Sequence, residues 1–427
     1  MYSLLIYLYQ IGVFLASFFN EKVKKMWQGE RAAFNILKEK ADENAEYLWF
    51  HAASLGEFEQ ARPIIERIKK ESPQEKILLT FFSPSGYEVR CNYEFADIVC
   101  YLPIDTPTNA ARFLKLIKIK KAYFIKYEFW WNYLRVLQKK GVPAYSVSSI
   151  FREEQIFFKW YGFEYRRVLK CFTHFFVQNE KSKQLLAELG ITNVTITGDT
   201  RFDRVKQIQE QAAVLPIVEN FLYASGSDKA NAPVFIAGSS WQPDEDIFFR
   251  YFAEHKDWKL IIAPHVIGAD HLNEIETKLA KYGMRAEYYV APQPQCGDGN
   301  HPDGLLPPHE EISSVLIINC FGLLSSIYRY GDITYVGGGF GVGIHNVLEA
   351  AVWGKPVFFG PNNKRFQEAQ DLIASGGGLE IISYEDFAAK MDALQQSAEQ
   401  RQSLGKASAD YVASKCGATE QVIIMTK

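Results

Sequence analysis

The 427-residue chain has no C-x-x-C. Its six cysteines, at 91, 100, 171, 296, 320 and 416, are scattered. That spacing offers neither a zinc site nor a disulfide framework. Reduced, buried thiols in a cytosolic compartment are the expectation. The eight histidines form no H-E-x-x-H and no tight cluster, so no metal site is expected. G-x-G-x-x-G is absent, and no Gly-Lys-Ser/Thr follows a glycine-rich run. The dinucleotide fingerprint and the P-loop are thereby set aside. Net charge is −3, which gives no electrostatic case for a nucleic-acid partner. No short repeat occurs.

What is present is a chain long enough for two domains. Hydrophobic residues at 48% and charged ones at 23% are ordinary. Aromatics at 15% are high. That suits membrane contact or a ring-lined cleft without identifying either. The N-terminal stretch MYSLLIYLYQIGVFLASFFN has no charge before Glu21. As one helix rising about 1.5 Å per residue it would just span a hydrocarbon layer of roughly 30 Å. Lys22, Lys24, Lys25 and Arg31 follow it. A cleaved signal peptide carries its positive charge before the apolar run, not after. The order here predicts a membrane anchor over 1–31, spanning or lying in the interface, with the body on the cytoplasmic side. A buried first helix is the other reading.

Beyond residue 31, apolar runs alternate with helical patterns. Strands are expected at 47–52, 76–83, 97–103, 122–129, 143–149, 174–179 and 194–198. Most are continuous apolar runs rather than strict alternations, as in parallel strands covered on both faces. The stretch 224–233 reads as a linker. A second series follows at 233–240, 259–265, 285–290, 314–320, 332–339, 356–361 and 379–383. Two such series predict an α/β protein of two Rossmann-like doubly wound domains, 32–225 and 226–427, facing a cleft. The stretch 292–308 is expected to be an inserted loop. Pro63 predicts a late start or a kink in the helix after Glu57.

Chemistry-bearing residues gather where strands end. In HAASLGEFEQ, 51–60, Glu57 sits where a strand turns into a helix. There it either offsets the helix dipole or serves as a base at a cleft mouth. KYEFWWN places Glu128 beside two tryptophans, where it pairs with Lys126 or another base, or acts in a site. ITGDTRFDR places Arg201 after a strand, as a surface cation or a functional one. His265 ends the strand closing in APH, either as a satisfied core histidine or at a site. Gly337, Gly338, Gly339, Gly341 and Gly343 lead to a helix expected near His345 and Asn346. Glycines let a backbone approach a ligand, and N–H groups at a helix start attract an anion. Glu349, three residues past Asn346, would share its face and is placed to take ribose hydroxyls. A solvated surface Glu is the bland alternative.

HAASLGE, KYEFWWN, ITGDTRFD, APH and GGGFGVGIHNVLEAAVWGKPVFFGP, in this order, resemble the 3-deoxy-D-manno-octulosonic acid (Kdo) transferases of lipopolysaccharide synthesis. The resemblance runs to about residue 385. It implies the glycosyltransferase-B architecture, with CMP-Kdo as donor and a membrane-embedded lipid A precursor as acceptor. It also implies the cytoplasmic side of the inner membrane and no cofactor. By resemblance the catalytic base falls on Glu57, and groups stabilising the transition state fall on Glu128 and Arg201. CMP contacts fall on Pro264 and His265, on Phe321, Gly322 and Leu323, and on Asn346, Val347, Leu348 and Glu349. Arg201 stands where many members have Lys, and Leu323 where many have an acid. The reaction implied is an inverting single displacement. Two alternatives stay open: another two-domain nucleotide-sugar enzyme (a UDP-sugar transferase or epimerase), and a non-catalytic, membrane-tethered nucleotide-sugar binder.

Overall fold

The computed structural model describes residues 2–223, 232–289 and 314–427. The expected loop at 292–308, and all but the last two residues of the expected linker at 224–233, lie outside the described residues.

The chain divides into two compact units, Met1–Arg204 with Lys415–Lys427, and Val205–Ser414. The division falls earlier than residue 225, and the C-terminal helix Ala418–Thr426 belongs to the first unit. Packing explains its return. Val422 and Ile423 enter the first unit's core. Tyr123 donates its hydroxyl to Thr426 Oγ1 at 3.0 Å. Asp203 accepts from the N–H groups of Gly417 and Thr419 at 2.6 and 2.7 Å.

The first unit holds a seven-stranded sheet of β1 (Glu46–Ala52), β2 (Lys76–Phe81), β3 (Ile98–Tyr101), β4 (Lys118–Ile125), β5 (Ala144–Ser149), β6 (His174–Val177) and β7 (Val194–Ile196). Its order is β3-β2-β1-β4-β5-β6-β7, and every pairing is parallel. Successive side chains of β1 point to opposite faces. Tyr47 and Trp49 enter one core, Leu48, Phe50 and Ala52 the other. The sheet is therefore buried on both sides, as its apolar runs predict. The second unit repeats the plan with β8 (Val234–Ser240), β9 (Lys259–Pro264), β10 (Ala286–Tyr289), β11 (Val315–Ile318), β12 (Ile333–Val336), β13 (Val357–Phe359) and β14 (Gly378–Glu380). Its order is β10-β11-β9-β8-β12-β13-β14, again all parallel. In each sheet the winding reverses once, between β1 and β4 and between β8 and β12. Ligands of open α/β sheets bind at the carboxyl ends of strands flanking such a switch.

β4 starts and stops earlier than expected, so Lys126 to Phe129 leave the sheet. Lys126 makes the exit in a left-handed conformation, φ 65. Ser148 and Ser239 do the same at the ends of β5 and β8, φ 51 and 52. Each such residue costs about 1–3 kcal/mol.

At the N-terminus α1 covers Tyr2–Ala16 and α2 Glu21–Lys40. The expected twenty-residue span is thus broken. Asn20 caps α2, its side chain accepting from Val23 N–H at 3.1 Å. Fifteen residues make a helix about 22 Å long. Among the described residues no helix is long and apolar enough to cross a membrane. α1 packs through Ile6 and Val13 against Met26, Phe82 and Ile104. Tyr2 donates to Asp105 Oδ2 at 2.8 Å. The rest of α1 and its turn show large apolar side chains to solvent, with Phe18 68% and Phe19 92% exposed.

α2 buries Glu30, whose Oε2 accepts from Ile104 N–H at 3.3 Å. Burial pushes its carboxyl up to about 8. The unfolded chain releases this proton near pH 4.5, the folded chain near pH 8. The unfolded state is therefore increasingly favoured as pH rises across that window. Glu30→Gln is expected to raise Tm by about 2–4 °C at pH 8 and hardly at pH 4.5. A gain independent of pH contradicts this.

Candidate active site

Helix α3 (Leu55–Glu71) follows β1 after Ser54. It begins at Leu55 rather than late and runs through Pro63. Phe58, Ala61, Ile64 and Ile65 are fully buried, which sets the helix register. Glu57 is left partly exposed in the first turn. The Ser54 hydroxyl donates to Glu57 Oε2.

Across the switch point, Glu128 leaves β4 beside β1. Its partner is His51, not Lys126: His51 Nε2 lies 3.1 Å from Glu128 Oε2, and Trp130 Nε1–H donates to the same oxygen at 2.6 Å. The histidine's other nitrogen meets Thr80 Oγ1 at 2.9 Å. That oxygen already accepts Trp49 Nε1–H at 2.8 Å. Its own proton is directed to His51 Nδ1, which is nearer than the Phe50 carbonyl at 3.4 Å. A neutral His51 then carries its hydrogen on Nε2 and donates it to Glu128. The carboxylate is locked through Oε2, and Oε1 takes no hydrogen bond from the described residues.

Arg201 is held from beneath. Its Nε and one terminal nitrogen reach Asp199 Oδ2 at 2.9 and 2.8 Å. Asp199 Oδ1 accepts Arg201 N–H and Gln60 Nε2–H, both at 2.9 Å. Burial works against ionising Asp199, but Arg201 and these hydrogen bonds outweigh it and hold the carboxyl below its usual range. Asp199, rather than Glu128, is the carboxylate that fixes the guanidinium.

Tyr127 ties these pieces together. Burial raises its phenol above the ordinary value, and the charges of Arg152, Glu57 and Arg201 all act on it. Arg152 and Lys126 approach its ring at 5.8 and 5.4 Å. The charges of Glu57 and Arg201 therefore reach the residue that precedes Glu128 in the β4 exit. His51, Tyr127, Arg152 and Asp199 are neighbours of the expected site residues that sequence reasoning missed. The left-handed Lys126 marks the spot, but only in coordinates.

In the second unit the three stretches expected to contact CMP also converge. Glu349 accepts Ser325 Oγ–H at 2.6 Å and Asn346 Nδ2–H at 3.1 Å. That brings the 321–323 segment beside the 346–349 segment. His265 is exposed rather than a core residue. Its ring stacks on Trp241 at 4.8 Å and on His345 at 4.3 Å. Trp241 Nε1–H donates to His345 Nε2 at 3.1 Å, so a neutral His345 carries its hydrogen on Nδ1. Burial, with His265 beside it, lowers its pKa to about 4. Phe321 is largely exposed, whereas Val347 and Leu348 are fully buried and offer a ligand only backbone. The helix expected near His345 and Asn346 is a single turn, Leu348–Ala351. Asn346 Oδ1 takes the Leu348 N–H at 3.2 Å, so that donor is not open to a phosphate. The glycine loop before it is pinned by Asp244, which accepts Gly338 N–H at 2.9 Å. Gly338 has φ +91, and a Cβ there would lie 2.4 Å from the Gly343 carbonyl.

Residues 27–204 match the family of 3-deoxy-D-manno-octulosonic-acid transferases (kdotransferases). The segment ends where the first unit's main span ends. The Kdo transferase of Aquifex aeolicus is 26% identical over 356 residues, covering 81% of this chain and 85% of that one. That of Bordetella pertussis is 25% identical over 396 residues, covering 88% and 86%. Over 27–204 the chain carries a Kdo transferase domain, and over most of its length it is similar to named Kdo transferases. Among solved structures, a putative UDP-N-acetylglucosamine 2-epimerase from Listeria monocytogenes superposes with TM-score 0.56 at 14% identity, covering 89% of this chain and 95% of that one. At that identity the likeness concerns the fold alone. It matches the two parallel-sheet α/β units, whose structural neighbours are of the glycosyltransferase-B type.

Proposed function

We propose that the protein transfers Kdo from CMP-Kdo to a lipid A precursor, with inversion at the anomeric carbon. The observation that carries the reading is the family match over 27–204, the span that holds Glu57, Glu128 and Arg201. In the proposed step Glu57 takes the proton of an acceptor hydroxyl as its oxygen attacks the anomeric carbon. The bond to the CMP phosphate breaks, and CMP leaves with the electron pair. Arg201, aimed by Asp199, meets the charge that gathers on the leaving phosphate. Glu128, with Oε2 engaged and Oε1 open, favours the cationic character of the sugar centre. Donor contacts are assigned to Pro264 and His265, to Phe321, Gly322 and Leu323, and to Asn346, Val347, Leu348 and Glu349. The ring cluster of Trp241, His265 and His345 supplies a flat surface beside them.

Membrane attachment is assigned to α1. A helix too short to span, with Leu4, Leu8, Ile11 and Leu15 exposed and Phe18 and Phe19 beyond it, suits a helix lying in the interface of the inner membrane's cytoplasmic face. Lys22, Lys24 and Lys25 follow where anionic headgroups would meet them. Trp160 and Tyr161, also exposed, precede the helix whose Tyr165 ring meets Tyr2 of α1 at 6.3 Å. Deleting residues 1–20 is expected to release the protein from vesicles while leaving CMP affinity unchanged. Full sedimentation of the truncated protein with vesicles contradicts the assignment.

Nucleotide choice tests the donor. CMP is expected to compete for the second unit's site and UDP is not. Equal competition by UDP would favour a UDP-sugar enzyme instead.

A further inference from the structure

A cavity of about 270 Å³ lies beside Glu128 in the first unit. α1 supplies one side of it through Tyr2, Ile6 and Tyr9. The segments after β2, β3 and β4 supply the other, chiefly Phe82, Ile104 and Trp130. Tyr127 and Glu128 belong to the same lining. The cavity therefore joins the helix assigned to the membrane surface to a carboxylate assigned to the reaction.

Its chemistry narrows the occupant. No lysine or arginine is among its described lining residues, so it offers a phosphate no cation. Its acids, Asp105 and Glu128, repel one. Asp105 is already satisfied, accepting from Tyr2 and from the N–H groups of Asn132 and Tyr133. Ile6, Phe82 and Ile104 form part of a small apolar cluster with Val13 and Met26. What suits this lining is uncharged hydrocarbon with one polar end near Glu128.

We propose that the cavity receives the acyl chain of the lipid acceptor nearest the reacting hydroxyl, with α1 as its wall on the bilayer side. The proposal rests on the Kdo-transfer reading of the same site. It makes this cavity a determinant of acceptor acylation. Chain length is read by volume, since a methylene more or less in an apolar pocket changes kcat/KM by about 10–200-fold.

The test uses the full chain, CMP-Kdo, and two acceptors: an acylated lipid A precursor and its acyl-free disaccharide phosphate. Ile6→Trp fills the cavity. It is expected to lower kcat/KM on the acylated acceptor by about tenfold or more, through KM. Turnover of the acyl-free acceptor and CMP affinity should stay at the wild-type level. Ile6→Ala, which enlarges the cavity instead of filling it, should move the preference toward longer chains. Equal loss on both acceptors, or no change on either with either variant, overturns the proposal. If the wild type moves Kdo to neither acceptor, the transferase reading itself fails and takes the acyl site with it.

Discussion

Glu57→Gln is expected to slow transfer by about 10²–10⁴-fold with CMP affinity unchanged. The amide keeps the size of the side chain and can still accept the Ser54 hydroxyl bond, so the start of α3 should hold. What it lacks is the basicity to take a proton from an attacking hydroxyl. Phe58, Ala61 and Ile64 carry the packing of this turn, and none is touched. Single-turnover rates with saturating CMP-Kdo separate the outcomes. Turnover near the wild-type rate removes Glu57 as the base. Loss of CMP affinity along with turnover would make Glu57 a structural residue instead.

The second large effect is expected at Arg201. Arg201→Ala removes the cation assigned to the leaving phosphate and should cost about 10²–10³ in kcat. It also leaves Asp199 buried with its charge uncompensated, so a fall in Tm should accompany the kinetic loss. Arg201→Lys separates the two roles. Lysine restores a charge beside Asp199 but not the fork that now grips Oδ2 through two nitrogens. Tm should recover and kcat only partly. Full recovery of kcat by Lys would show that charge alone matters; no loss in the alanine variant would remove Arg201 from the reaction. The pair carries its own acid sensitivity. Asp199 is depressed by Arg201, so its contribution is complete above the usual carboxylate range and fades as pH falls through its lowered value.

Much of this layout is visible in the chain itself, for identifiable reasons. Runs such as YLWFHA and KLIIAP are mostly apolar because helices cover both faces of their sheets, and each corresponds to a strand. Glu57 is legible because a strand, small residues and a periodic helix stand in line. β4 is harder to read. Its first half, KIKK, is polar because Lys120 pairs with Glu75 and Lys121 reaches the Thr426 carbonyl, so the strand is expected too late and Glu128 is assigned to it. The membership of the last helix in the first unit depends on Thr426 and Ile423 finding partners some 300 residues away, which no local pattern encodes. The same holds for His51. A lone histidine in an apolar strand gives no sign that Thr80 will orient one nitrogen and Glu128 meet the other. Hydropathy alone makes α1 look longer than it is, because it does not register the cap that Asn20 places on α2.

Mass analysis of the acceptor tests the central claim most directly. The full-length protein is incubated with CMP-Kdo and a lipid A precursor in detergent micelles, and both products are followed. The acceptor is expected to become heavier by a whole number of Kdo residues, with one CMP released for each. An acceptor of unchanged mass beside intact CMP-Kdo, while a UDP-sugar is consumed under the same conditions, would contradict it.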